Sequence, residues 1–229
     1  MDRKEVILTA LSSETQTIPQ YLEYEAPEIN ETEWLRYSCI PVYEHEKAKE
    51  DKDLSDSMAR TLKLVSGALS FRVGFLVTPI LWDDEGYPVL PFAQRSEKLK
   101  KNLEGCRKAV LFASTIGSGI DRLIRRYEKA DPGMGLLLQG LGAERVESLC
   151  DAFNVEVEEV ASKLRNNADG TAEKKVTHFR FSPGYGDLPI EVQREFLPLL
   201  DAERRLGITL SASCLMAPSK SVTAIIGIE

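Results

Sequence analysis

From about Met134 to Leu164 the sequence carries one long helical signal, with Leu136, Gly140, Ala143, Val146, Cys150, Phe153, Val157, Val160 and Leu164 near one face. An apolar stripe of that length must be covered, so the remaining segments have to supply a sheet or further helices against it. The small residues Gly140, Gly142 and Ala143 let a neighbour approach closely. Glu147 borders this face and Asp151 stands one turn on. By pattern alone, a carboxylate at such an edge reads as a solvated flank.

The segments around this helix alternate between helical and extended patterns. Met58, Leu62, Val65 and Leu69 recur at helical spacing, and Phe71, Val73, Phe75 and Val77 then alternate as one half-buried strand face until Pro79. Ser96 reads as the N-cap of "SEKLKKNLEG" and Gly105 as its stop. "AVLFAST" is a buried strand; "IGSG" turns it into a helix with Ile120, Leu123, Ile124 and Tyr127 on one face. This strand, glycine loop and helix resemble a nucleotide cradle only in part. Arg122 stands where a third glycine belongs, and no Walker lysine is present, so a tight turn with close helix packing is the simpler reading of Gly117 and Gly119.

"VTHFRF" reads as a strand leading into "RFSPGYGDLP", where Asp187 and Pro189 suit the start of the next helix. That helix is expected to end at Gly207 with a kink or break at Pro198. The tail reads as a hairpin: Leu210, Ala212 and Cys214 alternate, "APSKS" turns, and Val222, Ala224, Ile226 and Ile228 alternate back. The first fifty-four residues are acidic, tyrosine-containing and broken by Pro27 and Pro41; they read as an irregular region, 1–54, ahead of a domain spanning 55–229. The sum is an α+β class with a mostly antiparallel twisted sheet packed with helices.

Composition narrows the function classes. Lys+Arg 29 against Asp+Glu 36 gives a net charge of -7, which argues against nucleic acid as a partner. No stretch is apolar enough for a membrane span or signal peptide, so a cytoplasmic location and no membrane partner are expected. The four cysteines, Cys39, Cys106, Cys150 and Cys214, form no C-x-x-C and read as unpaired, with Cys150 and Cys214 as apolar filler. Two histidines, His45 and His178, read as surface residues and do not suggest a metal site.

Three segments together carry a family resemblance: "SEKLKKNLEGCRKAVLFASTIGSGIDRLIRRYEKADP", "GAERVESLCDAF", and "RFSPGYGDLP" continuing through "LLDAERRLGITLSASCLMAPSKSVTAIIGI". The last combines an R-x-x-P-G-Y loop with the downstream signature L-[ST]-x-S-x-x-M-x-P-x-x-S-V. In this order they resemble the S-adenosylmethionine-binding activation, or reactivation, domain of cobalamin-dependent methionine synthase over roughly residues 60 to 228.

The resemblance implies a component of a methyltransferase of methionine biosynthesis. By length the chain resembles the free-standing form, which docks on a synthase lacking its own activation domain. The implied reaction is reductive remethylation of cob(II)alamin with S-adenosylmethionine as methyl donor and flavodoxin or another low-potential electron donor. Cobalamin is supplied by the partner, because the D-x-H-x-x-G motif that gives cobalt a histidine is not found here. No catalytic residue of the chain and no metal ligand are implied. The implied S-adenosylmethionine-binding residues are Glu147, Arg180, Ser182, Gly184 and Tyr185. Arg180 takes the carboxylate, Glu147 a polar group, and the loop residues the adenosine.

Two departures accompany the resemblance. The family's D-x-x-x-W acid is nearest to Asn30-Glu-Thr-Glu-Trp34, without the charge, and the segment that carries a further ligand tyrosine in fused domains has no counterpart. They leave open a second class of function, a ligand-free docking or regulatory protein for a corrinoid methyltransferase, with residues 1–54 as a docking arm. A nucleotide binder using Gly117 and Gly119 is a third.

Overall fold

The computed structural model describes residues 2–41, 51–169 and 175–229; His45 lies outside them. A four-stranded antiparallel sheet runs through the centre in the order β1 (Gln20–Tyr24), β2 (Phe71–Pro79), β5 (Lys108–Thr115), β8 (Ser221–Ile228). Its register sorts side chains into two rows. Phe75 pairs with Phe112 and Phe112 with Ala224, while Leu76 pairs with Leu111 and Leu111 with Ile225. The first row joins one apolar core and the second row joins another. The expected half-buried face of β2 is therefore corrected: Leu76 is as apolar as Phe75, and helices cover both sides.

On the first face lies the long helix α6 (Pro132–Asp169), whose Phe153 ring sits 5.3 Å from Phe75 and 5.0 Å from Phe112. At its N-terminal end burial departs from the single stripe expected. Leu136 is exposed, whereas Met134, Leu137, Leu138 and Leu141 are buried. The reason is packing from two sides, by α2 (Glu31–Tyr37) and by α5 (Gly119–Ala130). The α2 crossing depends on Gly140, where a Cβ would stand 2.1 Å from Ser38 Oγ. Trp34 fixes it by donating its indole N–H to the Leu137 carbonyl at 2.8 Å. The helix α3 (Lys52–Val65) lends Met58 and Val65 to the same core.

Much of the described part of 1–54 is ordered structure rather than the irregular chain expected. Helix α1 (Arg3–Leu11) buries Val6, Ile7, Ala10 and Leu11, and β1 forms one edge of the sheet. The glycine loop before α5 is explained by packing. A Cβ on Gly119 would lie 1.9 Å from the Ala68 carbonyl oxygen, and one on Gly117 would lie 2.5 Å from Ser70 Oγ. The preceding segment thus packs against both glycines, which accords with the simpler reading of a tight turn with close helix packing.

The opposite face carries α4 (Glu97–Asn102), α7 (Gln193–Leu199) and α8 (Ala202–Leu206), with Leu99, Phe196 and Leu206 reaching the sheet. Ser96 caps α4 by accepting from the Leu99 amide at 3.0 Å. The break between α7 and α8 falls at Asp201, where φ is 44°, and Pro198 stays inside α7. Gly207 ends α8 in the left-handed conformation, φ 70°.

The terminal hairpin is also corrected. β6 (Thr209–Leu210) pairs with β7 (Met216–Ala217), while β8 leaves to pair with β5. Asp121 of α5 redirects the chain, its carboxylate accepting from the Ser219 amide at 3.0 Å and from the Ser219 hydroxyl. A small outlying pair, β3 (Leu81–Trp82) and β4 (Pro88–Val89), completes the strands described.

Candidate functional site

Residues 176–181 run beside β8 with their carbonyls and amides partly paired. Phe181 and Ile225 exchange backbone hydrogen bonds of 2.9 and 2.8 Å, and the His178 amide donates to Gly227 at 2.9 Å. Thr177 and Phe181 make isolated bridges to β8, so the expected strand is interrupted. What replaces the missing ladder is Glu158 of α6. Its carboxylate accepts from the Val176 amide at 3.1 Å, the Thr177 amide at 2.9 Å and the Thr177 hydroxyl. Burial raises the Glu158 pKa, but these bonds and one from Ser162 outweigh it, holding the carboxyl below its ordinary value.

Period-two alternation then sends neighbouring side chains to opposite faces. Phe181 enters the core below the sheet, and Arg180 turns towards α6. The Arg180 Nη2 lies 3.1 Å from Glu147 Oε2 and 3.0 Å from Asp151 Oδ1. Its Nη1 is buried without a partner. Leaving a guanidinium N–H buried and unpaired costs free energy that an incoming acceptor would recover. Beneath it Cys150 is fully buried; burial drives its thiol up to about 12 against the opposing pull of Arg180 and the Ser114 hydrogen bond. Such a thiol is packing rather than a nucleophile.

The loop after Arg180 is held from several sides. Gly184, at φ 88°, donates its amide to the Leu188 carbonyl at 2.9 Å, and a Cβ there would press to 2.8 Å from Ile190 Cδ1. The Ser182 carbonyl accepts from the Tyr185 amide at 3.0 Å. Tyr185 is 65% exposed, its ring edge-on to Phe181 with centroids 5.4 Å apart. Asp187 does not cap its own helix as expected. Its carboxylate caps α4 instead, accepting from the Ser96 hydroxyl, from the Glu97 amide at 2.8 Å and from the Lys98 amide at 3.3 Å. Those bonds, the Ser96 hydroxyl first, hold the Asp187 carboxyl below its usual range. The next helical run starts after Pro189, with a 3₁₀ turn over Ile190–Val192.

Of the five residues singled out by sequence, Glu147 and Arg180 touch, while Ser182, Gly184 and Tyr185 share the turn that follows. Asp151 was visible only as a flank; its i, i+4 spacing from Glu147 is the signal that places both on one guanidinium. A second group lies one turn earlier on α6. The buried Glu144 carboxylate pairs with Arg145 and accepts from the Ser148 hydroxyl at 2.7 Å and the Asn30 amide at 2.9 Å. Arg145 in turn donates to the Pro27 carbonyl and, at 2.7 Å, to the Glu28 carbonyl. Asn30 itself caps α2, its side-chain oxygen accepting from the Glu33 amide at 3.2 Å.

Other clefts, one of about 370 Å³ beside Trp82 and Lys101 and one of about 840 Å³ beside Arg107 and Arg165, are not lined by Arg180, Glu147 or Tyr185. His178 stands nearer the far end of the segment, its Nδ1 donating to the Asn102 carbonyl. Among the described residues no group of three or more His, Cys, Asp or Glu side chains is arranged for a metal ion, and no helix is long and apolar enough to cross a membrane.

The family model of the vitamin B12 dependent methionine synthase activation domain matches residues 92–228, more than half of the sequence and all of the Arg180 loop. The chain belongs to this activation-domain family. Among solved structures, the MetH reactivation domain bound to AdoHcy is similar with a TM-score of 0.62 over 92% of this chain and 78% of that one. At 17% identity this likeness is one of fold, and it agrees with the α+β arrangement of helices on an antiparallel sheet. No curated protein matches the chain.

Proposed function

We propose that this activation-domain protein is a stand-alone reactivation subunit, which binds S-adenosylmethionine and docks on a cobalamin-dependent methionine synthase to support reductive remethylation of cob(II)alamin. The carrying observation is the buried, unpartnered Nη1 of Arg180, within a family whose solved relative is described as bound to AdoHcy. A carboxylate is the acceptor that a guanidinium edge fits best, and lysine lacks that fork. Glu147 orients the guanidinium from α6. Gly184 and Ser182 offer backbone along a turn with little freedom, and the exposed Tyr185 ring offers an apolar plate for an adenine.

S-adenosylmethionine supplies an electrophilic methyl group, and the cobalamin on the partner, reduced by flavodoxin or another low-potential donor, receives it. The chain's own residues bind and orient the donor; none is placed as nucleophile or general base. Cys150, the nearest candidate, is fully buried with a raised pKa. Cytoplasmic residence accords with this role.

Calorimetry tests the reading. S-adenosylmethionine should give a saturable heat with the wild type, and Arg180→Ala should abolish it. No heat with wild type, alone or with the synthase, would remove the small-molecule half. A ligand-free docking protein is the reading that would then remain, and one observation favours it: Arg180 already holds two internal carboxylates. Co-purification with a corrinoid-bearing partner without ligand heat is its signature.

A further inference from the structure

The Arg180 cluster holds more acid than a lone guanidinium needs. Glu147 and Asp151 both approach Nη2, leaving an unbalanced negative charge, while Nη1 has no partner. We propose that Asp151 is a specificity-determining residue of the ligand site, receiving the α-ammonium of S-adenosylmethionine while Arg180 receives the carboxylate. This rests on the ligand reading above and adds to it the residue that recognises the amino group.

The geometry of an α-amino acid supports the assignment. Its carboxylate and ammonium are separated by one carbon, as Nη1 and Nη2 of a guanidinium are. A carboxylate seated on Nη1 therefore sets the ammonium beside the acid that holds Nη2. Two acids meet that condition. The Asp151 side chain is 68% exposed and that of Glu147 39%, so Asp151 stands on the open side, where a ligand enters. Its Oδ1 is used by Arg180, and Oδ2 remains for a second cation.

Asn30 is neutral, and its side-chain oxygen is committed to the Glu33 amide. The charge balance has a consequence for ligand choice. The zwitterionic end brings one charge of each sign, and the sulfonium adds a positive one, which offsets the surplus acid. S-adenosylhomocysteine lacks that sulfonium charge and leaves the surplus uncompensated, so the methyl donor is preferred over its demethylated product.

The test is calorimetry on the full chain with S-adenosylmethionine, its analogue lacking the α-amino group, and S-adenosylhomocysteine. Asp151→Asn should weaken S-adenosylmethionine about fivefold, the effect of losing one partly exposed ion pair, and shift the deaminated analogue by less than about twofold. Asp151→Glu should restore most of the loss, and wild type should bind S-adenosylmethionine more tightly than S-adenosylhomocysteine. Equal weakening of both amino-bearing and deaminated ligands would overturn the assignment, because a merely structural role acts on both alike. Unchanged binding by Asp151→Asn would also overturn it, and tighter binding would overturn it by showing that Asp151 competes with the ligand carboxylate for Arg180. In either case binding by wild type and its loss in Arg180→Ala leave the ligand reading standing. Absence of binding by wild type fells both.

Discussion

Glu158 shows how one side chain sets the position of another. Without its carboxylate the Val176 and Thr177 amides would lose their acceptors, and the segment that carries Arg180 would keep its two bridges to β8, the contacts with Asn102 and the ion pairs of Arg180 itself. Because the folded pKa is depressed, the contribution is present above the unfolded glutamate value of about 4.3 and is lost as pH falls through the lower folded value. Glu158→Gln keeps one acceptor and removes the charge. It should lower stability by about 1 kcal/mol at pH 7, given hydrogen bonding discounted for solvent exposure. In urea titrations the gap between variant and wild type should close on acidification below about pH 4, since protonation makes the wild type resemble the variant. A gap independent of pH would show that the carboxylate charge has no part in holding the segment. The sequence offered Glu158 no distinction from the other glutamates of α6, because its partners at Val176 and Thr177 stand 18 and 19 residues away and only the fold brings them together.

At the scale of elements, α2 is a seven-residue helix with little propensity to persist alone, so tertiary anchoring must hold it. Trp34 is 1% exposed and bonded to the Leu137 carbonyl, and Leu35 is equally buried. Trp34→Ala removes the largest side chain of the contact and should cost about 3–5 kcal/mol in chemical denaturation, enough to threaten a typical domain. Trp34→Phe should recover most of the packing but not the indole hydrogen bond. Periodicity was enough to find α6, α5 and the strands β2, β5 and β8, because each buries a regular face. It misplaced Leu136 because two helices, not one sheet, cover that end of α6. It misjoined the tail because alternation in β8 reports a buried strand without naming its partner, and that partner, β5, is distant in sequence. The resemblance named Arg180 and Glu147, and the i, i+4 spacing sets Asp151 on the same face as Glu147; that Arg180 reaches both depends on the fold that brings its segment across α6.

For the whole molecule, the consequential question is whether residues 55–229 form a unit without what precedes them. The sheet argues otherwise. β1 pairs with β2 over five residues from Gln20↔Phe75 to Tyr24↔Phe71, and Tyr21 donates its hydroxyl to the Leu200 carbonyl at 2.9 Å on the other face. α1 lies on α6, with Arg3 bonded to Glu156 at 2.9 Å and Ile7 fully buried, and Lys108 of β5 donates to the Leu11 and Ser13 carbonyls at 2.7 and 2.8 Å. Deleting α1 takes Val6, Ile7, Ala10 and Leu11 out of the core and uncovers the residues they touch. At about 1.5–3 kcal/mol for each large side chain, the loss is comparable to the 5–15 kcal/mol that holds a whole domain. A chain of residues 55–229 should therefore lack cooperative thermal unfolding and expose apolar surface to a dye such as ANS, while the full chain melts in one transition. If the shorter chain unfolds cooperatively with near-wild-type stability, α1 and β1 are an appendage, and residues 1–54 regain their standing as a docking arm. If it does not, any partner contact made by this region belongs to the folded body, and substitutions of exposed residues such as Ile18, rather than truncation, are the means to find it.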